Sequence, residues 1–270
     1  MECISLKHLL LPLWQYREFI YSCVKRDFLA RYQGSLFGVL WSVFQPLSMI
    51  FVYTVIFSNV MRSKLAGMET VPYAYSIYLC AGVLPWNLFL EMLMNCTNVF
   101  LANGNLLKKV SFPRICLPAI TVCSAFINFI IGYLLFLVFL IIIGQFPWRV
   151  CWVIPLLLGV QILFTVVMGI GLGVLNVFFR DVGQLLNVLL QFWFWFTPIV
   201  YPEKIVPEAL RQLLVLNPMY HIMQGHQSVF LYETFPSWVA MGVICLISMM
   251  IGIWSIRLYR RHIGEMVDEL

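Results

Sequence analysis

From Val166 to Tyr201 the chain carries almost no charge except at one tight turn, Phe178-Phe179-Arg180-Asp181-Val182-Gly183. It then rises into the aromatic run Phe192-Trp193-Phe194-Trp195-Phe196-Thr197-Pro198. A water-soluble core has no use for that pattern. Two apolar segments, each near the roughly 20 residues that cross a hydrocarbon core, meet at a single charged hairpin, so the chain turns at a membrane surface and re-enters. Composition agrees, because 62% hydrophobic and 11% charged residues leave a 270-residue chain too few charges to coat a soluble globule.

Apolar windows place six candidate spans at roughly 36–60, 73–95, 116–143, 151–177, 184–201 and 237–257. The expected fold is an all-α integral membrane protein of six transmembrane helices, with an N-terminal amphipathic interface helix and short outer-side helices between spans five and six. Its expected organisation is a cytoplasmic N-terminal segment over 1–35, a six-span domain over 36–257 and a cytoplasmic tail over 258–270.

Orientation follows from Lys and Arg. An inside N-terminus puts Lys7, Arg17, Lys25, Arg26, Arg31, Lys108, Lys109, Arg114, Arg180, Arg257, Arg260 and Arg261 on the cytoplasmic side. Arg62, Lys64, Arg149, Lys204 and Arg211 fall opposite, which accounts for all 17 cations. Both termini are therefore expected in the cytoplasm. Basic flanks beside a bilayer explain the net charge of +5 without nucleic acid. No removable signal peptide is expected, since Leu9 to Trp14 is too short an apolar run. The eight cysteines lie mostly in or beside apolar spans and form no C-x-x-C pair, so they read as small packing residues.

Along residues 13–33, Tyr16, Phe19, Ile20, Cys23, Val24 and Phe28 fall toward one side of a helix, interrupted by Arg17 and Asp27. That pattern suits a helix in the cytoplasmic interface, with a soluble cap as the alternative. Pro46 predicts a kink in the first span. Glu91 is the least membrane-like residue of any span and belongs near the inner surface or in a polar path. The mixed basic and apolar stretch 103–114 either docks a protein or serves only as a positive-inside signal. Gly169 and Gly173, spaced i, i+4, let another helix approach closely. Residues 202–236 hold two apolar stretches too short to cross, either interfacial or re-entrant helices on the outer side or an ordinary folded loop.

Catalysis has no visible seat. No G-x-x-x-x-G-K-[ST] occurs, so any ATP drive must come from a partner. His221 and His226 are five apart and do not share the face of a zinc-binding pair, so satisfied or solvated histidines are expected. No G-x-S-x-G and no paired carboxylates lie within the spans. Ion coupling calls for ionisable groups inside the membrane, and only Glu91 offers one. The spans instead hold aromatics and the amides Asn128, Gln161, Asn187 and Gln191, an inventory suited to a large polyhydroxylated ligand. Trp193 and Trp195 offer flat faces on which sugar C–H groups can slide, with ordinary membrane-interface tryptophans as the alternative.

Five stretches then carry a resemblance: Arg31-Tyr32-Gln33-Gly34-Ser35-Leu36-Phe37-Gly38-Val39-Leu40-Trp41, Ala81-Gly82-Val83-Leu84-Pro85-Trp86, Leu107-Lys108-Lys109-Val110-Ser111-Phe112-Pro113-Arg114, Phe179-Arg180-Asp181 and Thr197-Pro198-Ile199-Val200-Tyr201-Pro202. In that order and spacing the chain resembles ABC-2 type permeases that export lipid-linked polysaccharides such as O-antigen, capsule and teichoic acid. The resemblance implies a homodimer around a central channel in the bacterial inner membrane, with two cytoplasmic ATPase subunits. ATP and Mg would be used by those partners, and no cofactor is expected on this chain. Arg26, Arg31, Leu107, Lys108, Lys109, Phe112 and Arg114 would touch the ATPases, and Arg180 and Asp181 would lie at the cytoplasmic mouth. Residues 203–235 would cap the outer end. Trp41, Trp86, Phe192, Trp193, Phe194, Trp195 and Phe196 would line or flank the sugar path. Rival expectations are an ABC-2 exporter of drugs or small lipids, and a membrane-embedded glycosyl- or acyltransferase using Glu203, Glu208, His221, His226 or Glu233.

Overall fold

The computed structural model describes residues 6–60, 73–104, 113, 115–262 and 264–269, and every regular element among them is helical. Two helices precede the first span, α1 (Leu6–Gln15) and α2 (Arg17–Tyr32). The long apolar helices are α3 (Trp41–Val60), α4 (Ala74–Ala102), α5 (Cys116–Ile142) and α6 (Ile154–Phe178). After a turn come α7 (Asp181–Trp195), the short α8 (Glu208–Leu214) and α9 (Pro218–Gln227), then α10 (Trp238–His262) and α11 (Glu265–Glu269).

Helix α4 is the axis of the bundle. Most of its surface is buried, and α3, α5, α6, α7 and α9 all pack on it. The close approach of α6 depends on glycine. A Cβ at Gly169 would stand 2.6 Å from Cys96 Cβ, and one at Gly173 would stand 2.7 Å from the Cys96 carbonyl, so any side chain would push α4 away. Gly171 serves the opposite face, where Ser255 of α10 fills the space and donates to the Val167 carbonyl at 2.7 Å. The expected small-residue face is thus real, and it has a second side. All seven described cysteines are free, as expected of packing residues.

Two ends can be told apart. At one, Phe100 stacks on Tyr259 and Phe178 meets His262, beside Arg260 and Arg261. Arg257, Arg260 and Arg261 give this end a basic character. At the other, Tyr75 and Tyr78 meet the segment after α7.

Among the described residues, five helices are long and apolar enough to cross a membrane: Gly38–Ile56, Ala74–Ala102, Cys116–Ile142, Cys151–Phe178 and Trp238–His262. The remaining expected span, 184–201, takes a different form. Helix α7 has 15 residues, about 22 Å at 1.5 Å per residue, and gives way to irregular backbone at Thr197–Tyr201. Pro198 ends the helical ladder because it has no N–H. Irregular backbone at this depth needs internal partners for its carbonyls. Tyr78 Oη lies 2.8 Å from both the Pro198 and Tyr201 carbonyls, which share its one hydrogen, while Tyr75 Oη donates to Val200 and Gln227 Nε2 to Pro198 and Ile199 at 3.4 Å. Gly82 leaves room for this seam, since a Cβ there would meet Gln227 Nε2 at 2.8 Å and Ile199 Cγ2 at 3.1 Å.

Part of the segment 202–236 packs into the bundle. Met219, Ile222, Met223, Val229 and Phe230 are all buried in the main core. Helix α3 continues through Pro46, whose ring lies against Gly132 of α5. The apolar stripe of α2 turns onto α5, with Cys23 and Val24 buried against Ile120 and Phe19 and Ile20 beside them.

Candidate functional site

The turn before α7 is built by amides. Asn176 Oδ1 accepts from the Gly183 amide at 2.9 Å, while Asn176 Nδ2 donates at 3.1 Å to both the Thr97 carbonyl and Asn98 Oδ1. Asp181 in the first turn of α7 complements the helix dipole. Arg180 and Asp181 are both exposed here.

One face of α7 turns inward. Leu186 and Leu190 are buried, and Phe194 packs on Trp86 with ring centroids 5.6 Å apart. Trp193 lies edge-on to Phe89 at 5.4 Å, and its Nε1 donates to Asn217 Oδ1 at 2.8 Å. The same oxygen accepts from the Met219 amide at 3.0 Å and caps α9, while Asn217 Nδ2 donates to Thr197 Oγ1 at 2.9 Å. Trp193 is therefore a structural anchor.

The other face is open. Gln184, Asn187 and Gln191 are exposed, and their spacing of three and four residues aligns them on one side of the helix. Phe192, Trp195 and Phe196 stand beside them, exposed by 59%, 63% and 62%, in contrast with inward-facing Trp193. Past the end of α7, Trp195, Phe196 and Tyr201 form a cup of about 490 Å³ with Val206, Leu210 and Leu213 of the outer segment.

The structure divides the expected site residues. Trp41 is half exposed at the start of α3, in edge contact with Phe37 and Phe44. Trp86, expected on the path, is only 2% exposed and belongs to the interior of this subunit. Of the two tryptophans that suggested a sugar surface, Trp195 is mostly exposed, while Trp193 is half-buried and tied to Asn217 yet also lines the same cup. Arg26 is exposed on α2, whereas Arg31 reaches back into the bundle and pairs with Glu91 at 2.7 Å. Leu107, Lys108, Lys109, Phe112 and Arg114 lie outside the described residues. Of the amides, Gln161 is buried with its Nε2 on the Pro85 carbonyl at 2.6 Å, and Asn128 donates to Glu91 at 2.9 Å. Only Asn187 and Gln191 remain on an open surface, now joined by Gln184. That residue was readable in principle, because it sits seven before Gln191 on the same face.

The residues a transferase would need are spread over different tasks. Glu203 lies 3.8 Å from Arg211 and 3.4 Å from Gln224. The His221 ring meets the Val215 carbonyl at 2.8 Å, as a satisfied histidine should. His226 departs from expectation: it is fully buried and neither ring nitrogen has a partner. Among the described residues no group of three or more His, Cys, Asp or Glu could hold a metal ion.

Comparison with known proteins agrees with this architecture. The ABC-2 type transporter family matches residues 18–231. An O-antigen export system permease protein, RfbA of Myxococcus xanthus, is 32% identical over 246 residues, covering 90% of this chain and 91% of that protein. A protein of the same name from Klebsiella pneumoniae is 31% identical over 212 residues, covering 77% and 78%. The polysialic acid transport protein KpsM of Escherichia coli is 18% identical over 237 residues, covering 87% and 90%. A family match over most of the sequence, relatives similar nearly end to end and five apolar helices of spanning length lead to one conclusion: the chain belongs to the ABC-2 type transporter family, as a multi-pass membrane transport subunit.

Proposed function

We propose that this chain is the membrane subunit of an ATP-driven exporter of a lipid-linked surface polysaccharide, acting as two copies with two cytoplasmic ATPase subunits in a bacterial inner membrane. The observation that carries the reading is the open face of α7. An amide exposed to hydrocarbon is costly, so polar residues in a crossing segment turn toward protein, water or cargo. Gln184, Asn187 and Gln191 form such a stripe, bordered by Phe192 and Trp195. Amides exchange hydrogen bonds with sugar hydroxyls and rings support sugar C–H faces, so neither fixes a moving polymer in one register. In this reading α7 and the Thr197–Tyr201 seam together make the sixth crossing, and the α7 faces of two subunits border the channel. The relatives named for O-antigen export and polysialic acid transport support a glycan as cargo.

The test replaces Gln184, Asn187 and Gln191 together by leucine, which keeps the helix and removes the amides. Surface polysaccharide should fall by about tenfold, as several modest polar contacts are lost together, while subunit abundance and ATPase association stay unchanged. Full export by this variant would remove the α7 face from the path. ATPase stimulation by small apolar compounds but not by polymer would transfer the assignment to a drug or small-lipid exporter.

A further inference from the structure

Arg31 stands in the last turn of α2, and its Nη1 lies 2.7 Å from Glu91 Oε1 of α4. The same carboxylate oxygen accepts from Asn128 Nδ2 of α5 at 2.9 Å. One acidic side chain thus ties the helix preceding the first span to two membrane-spanning helices. Beyond Arg31 the chain reaches α3 through Gly34 at φ +83° and Gly38 at φ +51°, both with open space where a Cβ would sit. These left-handed glycines let the link turn sharply. Next to the pair lies a cavity of about 400 Å³, lined by Ser42, Gln45 and Pro46 of α3, Asn87 of α4, and Asn128 and Gly132 of α5. It offers room for the pair to shift, with polar neighbours along the way.

We propose that Arg31, Glu91 and Asn128 form a joint through which movement of α2 is carried into α4 and α5, with Glu91 as its positioning residue. This rests on the ATP-driven reading above, in which the partner ATPases act on the cytoplasmic elements. A static ion pair is the competing account, and burial separates the two. The Arg31 and Glu91 side chains are 40% and 28% exposed, so the pair is not sealed in the core and its loss should weaken the fold less than loss of a fully buried bridge would. A joint, by contrast, shows its loss in coupling between sites.

The experiment uses the subunit co-purified with its ATPase, and compares Glu91→Gln, the reversals Arg31→Glu and Glu91→Arg, and the double exchange of both. Asn128 can serve either polarity by rotating its amide, since its Oδ1 has no partner in the present arrangement. Each single variant should lower polymer exported per ATP hydrolysed by about tenfold, within the usual range of coupling between sites, with membrane abundance nearly unchanged. The double exchange should restore most of the export. Hydrogen exchange along residues 17–32 of the purified subunit supplies a readout free of transport, faster in the single variants and slowed again in the exchange. Singles that export normally, or lose protein in proportion to export, overturn the joint, as does an exchange as defective as its parents. A wild-type subunit that neither binds nor responds to the ATPase would instead overturn the ATP-driven reading, and the two failures are distinguishable.

Discussion

Helices α4 and α7 draw on similar residues and do opposite things. Both mix tryptophan, phenylalanine and amide side chains, yet 78% of the most apolar window of Ala74–Ala102 is buried, whereas in α7 only Leu186 and Leu190 are fully so. Apart from exposed Asn87 and partly exposed Glu91, polar groups along α4 find partners inside the protein. Ser76 Oγ donates to the Tyr53 carbonyl at 3.0 Å, Asn98 Nδ2 to Met94 at 2.9 Å, and Tyr78 holds two carbonyls of the seam. The amides of α7 face outward with aromatic neighbours. Aromatic and amide content therefore does not mark a transport path by itself; orientation relative to the bundle decides.

The largest test of that contrast is Trp86→Ala. Its ring contacts Phe89 at 5.3 Å and Phe194 at 5.6 Å in the most buried part of the bundle. Removing it should cost about 3–5 kcal/mol, as for other large aromatics deleted from packed cores, and lower membrane abundance and thermal stability sharply. A stable Trp86→Ala protein that fails only in export would return Trp86 to the path and break the comparison. Next in size is Gly173→Val, whose Cβ would press on the α4 backbone at 2.7 Å and should cost about 1–3 kcal/mol or more. Gly242→Val on α10 meets nothing within 4 Å and serves as its control. Equal melting temperatures for the two would show that α4 and α6 can separate without loss.

Part of this architecture was readable beforehand, and the divide has a physical cause. Long apolar runs, the Arg180-Asp181 turn and the i, i+4 glycines are local signals, and the structure contains all three. The half-helical form of 184–201 was not readable, because apolar content cannot tell a helix from an irregular run whose carbonyls are held by Tyr75, Tyr78 and Gln227 at distant positions. Trp193 and Trp195 looked equivalent because the acceptor that distinguishes them, Asn217, lies 24 residues past Trp193. The Arg31–Glu91 pair was unreadable for a similar reason, since the two residues are 60 positions apart.

Asn217→Ala sharpens the contrast at smaller scale. It removes the acceptor of Trp193 Nε1, the cap of α9 and the donor to Thr197 in one step. Losing a cap and stranding a donor should cost about 1–3 kcal/mol, visible as a lower melting temperature of the purified subunit. Asn217→Asp keeps the acceptor and should recover part of that loss.

The smallest stability change, and the sharpest division of roles, should come from Trp195→Ala set beside Trp193→Ala. The Trp195 side chain is mostly exposed in the single subunit, so its removal should shift stability by no more than about 0.5 kcal/mol. Trp193→Ala forfeits both the Phe89 contact and the Asn217 hydrogen bond, and should destabilise measurably more. Export should respond in the reverse order once normalised to folded protein, with Trp195→Ala the more defective. If Trp195→Ala instead lowers the melting temperature as far as Trp193→Ala, another surface covers the open face of α7 in the assembled protein. The aromatic residues there would then bind subunits together, and the amide stripe alone would be left to meet the cargo.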